Sequence, residues 1–242
     1  MEQHNDPPEF ILDVFTDPRS VREVVKGILH TIFFTRFFPS LVPRTREVLD
    51  LTLPYVDNDE LETMIDQRAS ALERQLDAER CNNTSNNSSN NNNSSNNNHN
   101  TNTTSAAIAT TATNNNSTPV DISSTSGGGS ARGGGGRGQV TVQFFEKRRR
   151  KAWLSRGDEE ICWEIWTLKV TVAEPRTESE RAKVRRAMEQ TLQTTAMKIA
   201  SFANANKDHI PPITTQGAGN PFPFKINIDH KETGWAARMR IY

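Results

Sequence analysis

The sequence predicts an α+β fold: one domain with a mainly antiparallel sheet packed against about three helices, interrupted by a long disordered insertion. Three observations predict it. Residues 139–146 and 163–172 alternate apolar and polar side chains at period two, as half-buried strands do. Three other stretches carry apolar residues at spacings of three and four, the mark of helices with one buried stripe. Between the two sets, Asn, Ser and Thr and then Gly dominate residues 81–138, where almost nothing can be buried to offset the entropy of ordering.

In chain order, Phe10, Leu12 and Val14 alternate with Ile11, Asp13 and Phe15. Both faces are apolar enough to predict an interior strand. Asp17-Pro18 then has the form of a helix start, Asp as N-cap and Pro preorganised for the first turn. Val21, Val24, Val25, Ile28, Leu29 and Ile32 form the broad stripe of a central helix. Residues 46–55 read as one strand through Val48, Leu49, Leu51 and Leu53, ending or lying on an edge at Pro54. A second helix opens at Asp57, with Glu60 at capping-box spacing, and buries Leu61, Met64, Ile65, Leu72 and Leu76. After the insertion come the two strands. A third helix opens on the Thr177–Glu180 capping box and carries Val184, Met188, Leu192, Thr195, Ile199 and Phe202. Pro211-Pro212 prevents its continuation, and Phe222, Phe224, Ile226 and Ile228 alternate as a last strand. Residues 234–242 have the character of a further short strand or turn.

Neither half covers its own apolar surface, so residues 1–80 and 139–242 are expected to fold together as one domain of about 185 residues. Residues 81–138 are then an insertion at a loop tip, where added length costs little. Lys+Arg and Asp+Glu are both 29, which excludes the global positive charge of a nucleic-acid-binding domain. The two arginines near residues 131–138 are too few for an RNA-binding tract, and a flexible linker is expected. Cys81 and Cys162 make no disulfide framework and fit a reducing compartment. The polar N-terminus is not a signal peptide, and no apolar run is long enough to cross a bilayer.

Nothing in the residues predicts catalysis. His4, His30, His99, His209 and His230 form no pair at metal-ligand spacing, so neither metal nor cofactor is expected. Cys162 reads as a structural thiol, and Glu164 as a sheet-face residue rather than the partner of a helix cation. Trp166, Leu168, Val170 and Val172 share the core face of their strand. The stretch that stands out is the tip between the strands. Lys147, Arg148, Arg149, Arg150 and Lys151 are followed by Trp153-Leu154 and then by Asp158, Glu159 and Glu160. The basic run reads first as a solvated charge run, with an acidic partner, a membrane headgroup or a nucleic acid as alternatives. Trp153 and Leu154 read either as folded back onto the domain or as an exposed apolar anchor for a partner.

Phe144-Phe145-Glu146-Lys147-Arg148-Arg149, Trp153 and Cys162-Trp163-Glu164-Ile165-Trp166-Thr167-Leu168-Lys169-Val170 resemble the autophagy-related protein 101 family, HORMA-domain subunits of the autophagy-initiation kinase complex. The first strand, the helix with Ile28-Leu29-His30-Thr31-Ile32 and the Thr177–Glu180 helix start resemble it too, so the likeness covers most of the chain outside residues 81–138. The resemblance implies a non-catalytic scaffold with a HORMA fold, cytoplasmic and recruited to the site of autophagosome formation. It implies pairing with, and stabilisation of, the HORMA domain of autophagy-related protein 13. It also implies recruitment of downstream factors through a protruding Trp-Phe finger, whose Trp matches Trp153. Leu154-Ser155 stands where the family has Pro-Phe, which makes Leu154 the candidate second finger residue. The short sequence after the last strand fits a family without a movable C-terminal clamp. Two other functions are a peptide-clamping HORMA adaptor of the checkpoint kind, which needs a longer C-terminal segment, and an RNA-binding protein using the Arg-Gly and basic tracts, which predicts steep salt dependence.

Overall fold

The structure is a computed structural model that describes residues 6–39, 42–89, 136–149, 158–213 and 220–229. Its elements run β1 (Glu9–Thr16), α1 (Val21–Arg36), β2 (Arg44–Val48), β3 (Leu51–Tyr55), α2 (Asp59–Ser89), β4 (Arg137–Arg149), β5 (Asp158–Val172), α3 (Glu178–Ala205) and β6 (Phe224–Asp229). The main sheet has the order β1-β5-β4-β6, and β2 and β3 form a separate antiparallel pair. β5 pairs antiparallel with β4, and β4 with β6, while β1 joins β5 in parallel. The strand from the N-terminal half is thus hydrogen-bonded to a strand from beyond the insertion, and the two halves share a core.

That core lies on one face of the sheet. Leu12 and Val14, Trp166, Leu168, Val170 and Val172, and Val140, Val142 and Phe144 all point to it and are at most 3% exposed. α1 covers this face, with Ile28, Leu29, Ile32 and Phe33 fully buried. Phe33 meets Phe144 and Phe224 edge-on. α2 lays Leu61, Ile65, Ala69, Leu72 and Leu76 against the same cluster. Its approach to β4 depends on Gly138, where an added Cβ would come within 2.7 Å of a Leu72 methyl carbon.

Four expectations are corrected here. β1 is an edge strand, not an interior one. Its second side is not a buried one, since Ile11 is 46% exposed, and α3 runs along the strand's free edge instead. The Thr195 hydroxyl donates to the Asp13 carbonyl at 2.8 Å, and the Phe15 N–H donates to Thr191 Oγ1 at 3.4 Å. A helix thereby occupies an edge that would otherwise expose unpaired backbone groups. Residues 46–55 are two strands, folded back at Leu49-Asp50 with Leu49 at φ 55°. α1 starts at Val21, and Asp17 instead closes the preceding turn by accepting the Ser20 N–H at 2.8 Å. α2 is capped by Asn58, whose side chain accepts from Leu61 N–H at 2.9 Å, rather than by an Asp57–Glu60 box. The Thr177–Glu180 capping box of α3 is present in both directions.

The expected insertion differs at its margins. Residues 81–89 continue α2, and Arg137-Gly138 begins β4 opposite Thr171 and Val170. Residues 1–5, 90–135 and 230–242, with His4, His99, His230 and the expected C-terminal strand or turn, lie outside the described residues.

Candidate functional site

The β4–β5 pair is longer than the alternation predicted, because pairing continues through the charged residues. β6 leaves β4 at Phe144, and β1 meets β5 first at Ile165. Beyond them Phe145–Arg149 and Asp158–Cys162 continue as a two-stranded ribbon, about 15 Å long at the usual rise per residue, with the Phe145 N–H donating to the Pro223 carbonyl at its base. The register sets Lys147 against Glu160, Arg148 against Glu159 and Arg149 against Asp158. Opposite charges facing across a ladder stabilise it, which is why strand geometry persists where no apolar alternation remains. Among the described residues, Lys147 and Arg148 of the basic run thus stand opposite acids. Lys147 and Arg148 are exposed, and Arg148 also pairs with Glu146 at 2.8 Å. Arg150, Lys151, Trp153 and Leu154, the tip itself, lie outside the described residues.

β6 braces the ribbon at its base. Lys225 bonds Glu160 at 3.0 Å and lies over the Phe145 ring, 4.4 Å from its centre. Between the Phe144–Glu164 and Phe145–Cys162 pairs the register shifts by one residue, leaving Trp163 as the extra residue of a β-bulge. The bulge turns both Trp163 and Glu164 to the core side, where strict alternation would separate them. Trp163 packs on Phe222, His209 and Phe144 with ring centres 5.1, 5.6 and 5.7 Å away.

Glu164 is fully buried and paired with a helix cation, contrary to the sheet-face role expected for it. Arg36 Nε donates to both carboxylate oxygens at 2.9 and 3.0 Å, and Trp166 Nε1 donates to one of them at 2.5 Å. His209 Nε2 lies 2.8 Å from the other. Arg36 also donates to the backbone oxygens of Thr35 and Asn206. This polar centre ties β5 to the ends of α1 and α3 and to the loop after α3. Sequence reasoning missed Arg36, although a signal was present: Arg36 falls four residues after Ile32, on the buried stripe of α1. Trp166, Leu168, Val170 and Val172 are buried on the core face, as expected.

A second polar cluster fixes the β2–β3 pair to the helices. Glu62 of α2 takes hydrogen bonds from Lys26 at 3.0 Å and Arg46 at 3.2 Å, and His30 Nε2 lies 2.6 Å away. Burial pulls the His30 imidazole down to about 4, against the attraction of Glu62. Burial pushes Glu62 up, but Lys26, His30 and Arg46 together outweigh it and hold the carboxyl at about 2. His30 Nδ1 is buried without a partner, so its ring is held as the neutral Nε2–H tautomer.

Burial raises the Cys162 thiol, whose Sγ–H points at the Glu164 carbonyl 3.7 Å away, so this is not an activated nucleophile. Among the described residues no group of three or more His, Cys, Asp or Glu is placed to hold a metal ion, and no helix is long and apolar enough to cross a membrane. An open groove of about 600 Å³ between α1, α3 and β3 is lined largely by apolar groups, among them Phe34, Leu51, Pro54, Ala196 and Met197.

Fold and site together define an α+β domain whose buried charges hold its elements together and whose outlying feature is a charged two-stranded hairpin. The chain belongs to the autophagy-related protein 101 family, whose family model matches residues 13–217. It is 23% identical to autophagy-related protein 101 of Schizosaccharomyces pombe over 220 residues, 90% of this chain and 85% of that protein. It is 28% identical to the Arabidopsis thaliana protein of that name over 111 residues, 38% of this chain. The Homo sapiens protein matches at 34% over 79 residues, 33% of this chain. These alignments span 50% of the Arabidopsis protein and 35% of the human one. The chain is an autophagy-related protein.

Proposed function

We propose that this protein is a non-catalytic adaptor of autophagy initiation. Its domain is HORMA-like and pairs with the HORMA domain of autophagy-related protein 13, stabilises it, and joins the initiation kinase complex. It works in the cytoplasm, without a cofactor, and is recruited to the site of autophagosome formation. Later factors are recruited through Trp153, with Leu154 beside it, at the end of the hairpin.

The observation that supports this reading is the ribbon of Phe145–Arg149 and Asp158–Cys162, which carries the chain past both neighbouring strands. A braced, charged ribbon that ends in a Trp-Leu pair suits an apolar anchor held away from the domain. Acids opposite Lys147 and Arg148, and equal numbers of cations and acids in the chain, count against nucleic acid as the partner.

Trp153→Ala, alone or with Leu154→Ala, tests the reading. Loss of an interface tryptophan worth ~2 kcal/mol lowers affinity for the later factors about 30-fold. Pairing with autophagy-related protein 13, followed by gel filtration of the mixed proteins, stays unchanged. Trp166→Ala is the control for a core tryptophan and should cost ~3–5 kcal/mol of stability. Equal destabilisation by the two substitutions would make Trp153 part of the core and end the finger hypothesis.

A further inference from the structure

The charges of the hairpin do not determine its register. With the bulge, Lys147, Arg148 and Arg149 face Glu160, Glu159 and Asp158. Without it, pairing would continue regularly from Phe144–Glu164, and Arg148, Arg149 and Arg150 would face the same three acids. Five consecutive cations opposite three acids give equal charge matching in both registers. The registers differ at Glu160, which meets Lys225 of β6 only in the bulged one through an exposed pair that contributes little, and at Trp163, whose burial is the larger effect. In the bulged register it is 6% exposed and packs on Phe144, Phe222 and His209. In the regular register it would stand opposite Phe145 on the other face of the ribbon. A one-residue slip moves every residue from 158 to 163 to the opposite face. The bulged register also carries a cost, because the buried Trp163 Nε1–H has no acceptor.

We propose that Trp163 is the positioning residue of the hairpin: its burial at the bulge selects one of two registers whose charge matching within the hairpin is equal, and so sets which face of the ribbon residues 159–162 occupy. The selection is local, since Glu164 pairs with Phe144 in either register. The consequence for recruitment rests on the reading of Trp153 given above; the register itself does not.

Paired cysteines test it, in full-length protein with Cys81 and Cys162 changed to Ser. Arg148→Cys with Glu159→Cys bridges the bulged register, and Arg148→Cys with Glu160→Cys bridges the regular one. A mismatched pair points its Cβ atoms to opposite faces and cannot close. Each cysteine pair removes some charge matching, so each is compared with itself across Trp163 variants. Under a glutathione redox buffer, the 148–159 bridge is expected to dominate with Trp163 present. With Trp163→Thr its yield falls and that of the 148–160 bridge rises. Trp163→Phe keeps the ring and removes the orphaned N–H, so it should retain or strengthen the 148–159 bridge, which keeps the test decisive if the Thr variant fails to fold. An unchanged bridge pattern in a folded Thr variant overturns the proposal, as does a Phe variant that shifts to 148–160. If Trp153→Ala leaves recruitment intact, the finger reading fails while the register result stands.

Discussion

Arg36→Met would leave Glu164 as an uncompensated carboxylate in the core, and the structure allows the cost to be worked out. The Arg36 and Glu164 side chains are 3% and 0% exposed. Removing one partner of a buried pair costs about 3–5 kcal/mol, because the remaining charge stays desolvated. Trp166 Nε1 and His209 Nε2 remain on the carboxylate, which places this part near the low end, about 3 kcal/mol. Arg36 also satisfies the Asn206 and Thr35 carbonyls at 3.0 and 3.2 Å, each contributing about 1 kcal/mol. The expected loss is thus about 4–5 kcal/mol, a large part of the 5–15 kcal/mol of a typical domain. The double variant Arg36→Met with Glu164→Met buries no charge. Its remaining cost is the orphaned Trp166 N–H and the carbonyls, about 2–3 kcal/mol and less than either single change, with His209, 23% exposed, exchanging Glu164 for water. Urea denaturation reads both as a shift in midpoint at constant slope. A single variant that loses less than about 1 kcal/mol, or a double variant that loses the sum of the two singles, would refute this account of the core.

His30 and Glu62 predict acid sensitivity. Both fold with lowered pKa values, about 4 and about 2, so the unfolded chain binds more protons and stability falls on acidification. His30 acts as pH drops from its ordinary 6.5 towards 4, Glu62 from 4.5 towards 2. His30→Gln should flatten the first limb in a plot of unfolding free energy against pH; an unaltered limb would assign it to other groups. Gly138→Ala forces a Cβ to 2.7 Å from Leu72 and should cost about 1–3 kcal/mol, with Leu72→Ala in the same chain recovering part of the overpacking cost. Thermal denaturation of the three variants checks this, and a neutral Gly138→Ala would show that α2 can move away from β4 freely.

The elements legible in the sequence are those whose side chains report on a single neighbour. The third helix announces its start with Thr177 and Glu180, and both hydrogen bonds of that box are present. Trp166, Leu168, Val170 and Val172 face one core, so parity alone places them. Elements that answer to two neighbours were misread. Ile11 and Phe15 suggested a second buried side for β1, yet Ile11 is 46% exposed and it is the backbone edge of Asp13 and Phe15 that α3 covers, which side-chain alternation does not report. The β2–β3 turn holds Leu49 at φ 55° with no Gly or Asn to mark it, so its two strands read as one.

The polar centre was half legible, and the half that was missed follows from the same parity. Glu164 stands two residues before Trp166, on the face of Leu168 and Val170, and a carboxylate on a core face requires buried donors. Arg36 stands on the buried stripe of α1, where a guanidinium requires buried acceptors. Each is an anomaly alone; together they predict the contact seen at 2.9 Å between two elements far apart in sequence. Trp163 is the residue for which this reasoning fails. Its parity assigns it to the opposite face, and only the bulge brings it to the core side beside Glu164. A bulge shifts the phase of the alternation by one residue, but the run before Trp163 is short and charged, so the shift leaves little periodic signal. Its position is decided by how much Trp163 gains from Phe144, Phe222 and His209 against the loss of one indole hydrogen bond. That balance is a property of the packed domain, beyond the reach of side-chain parity.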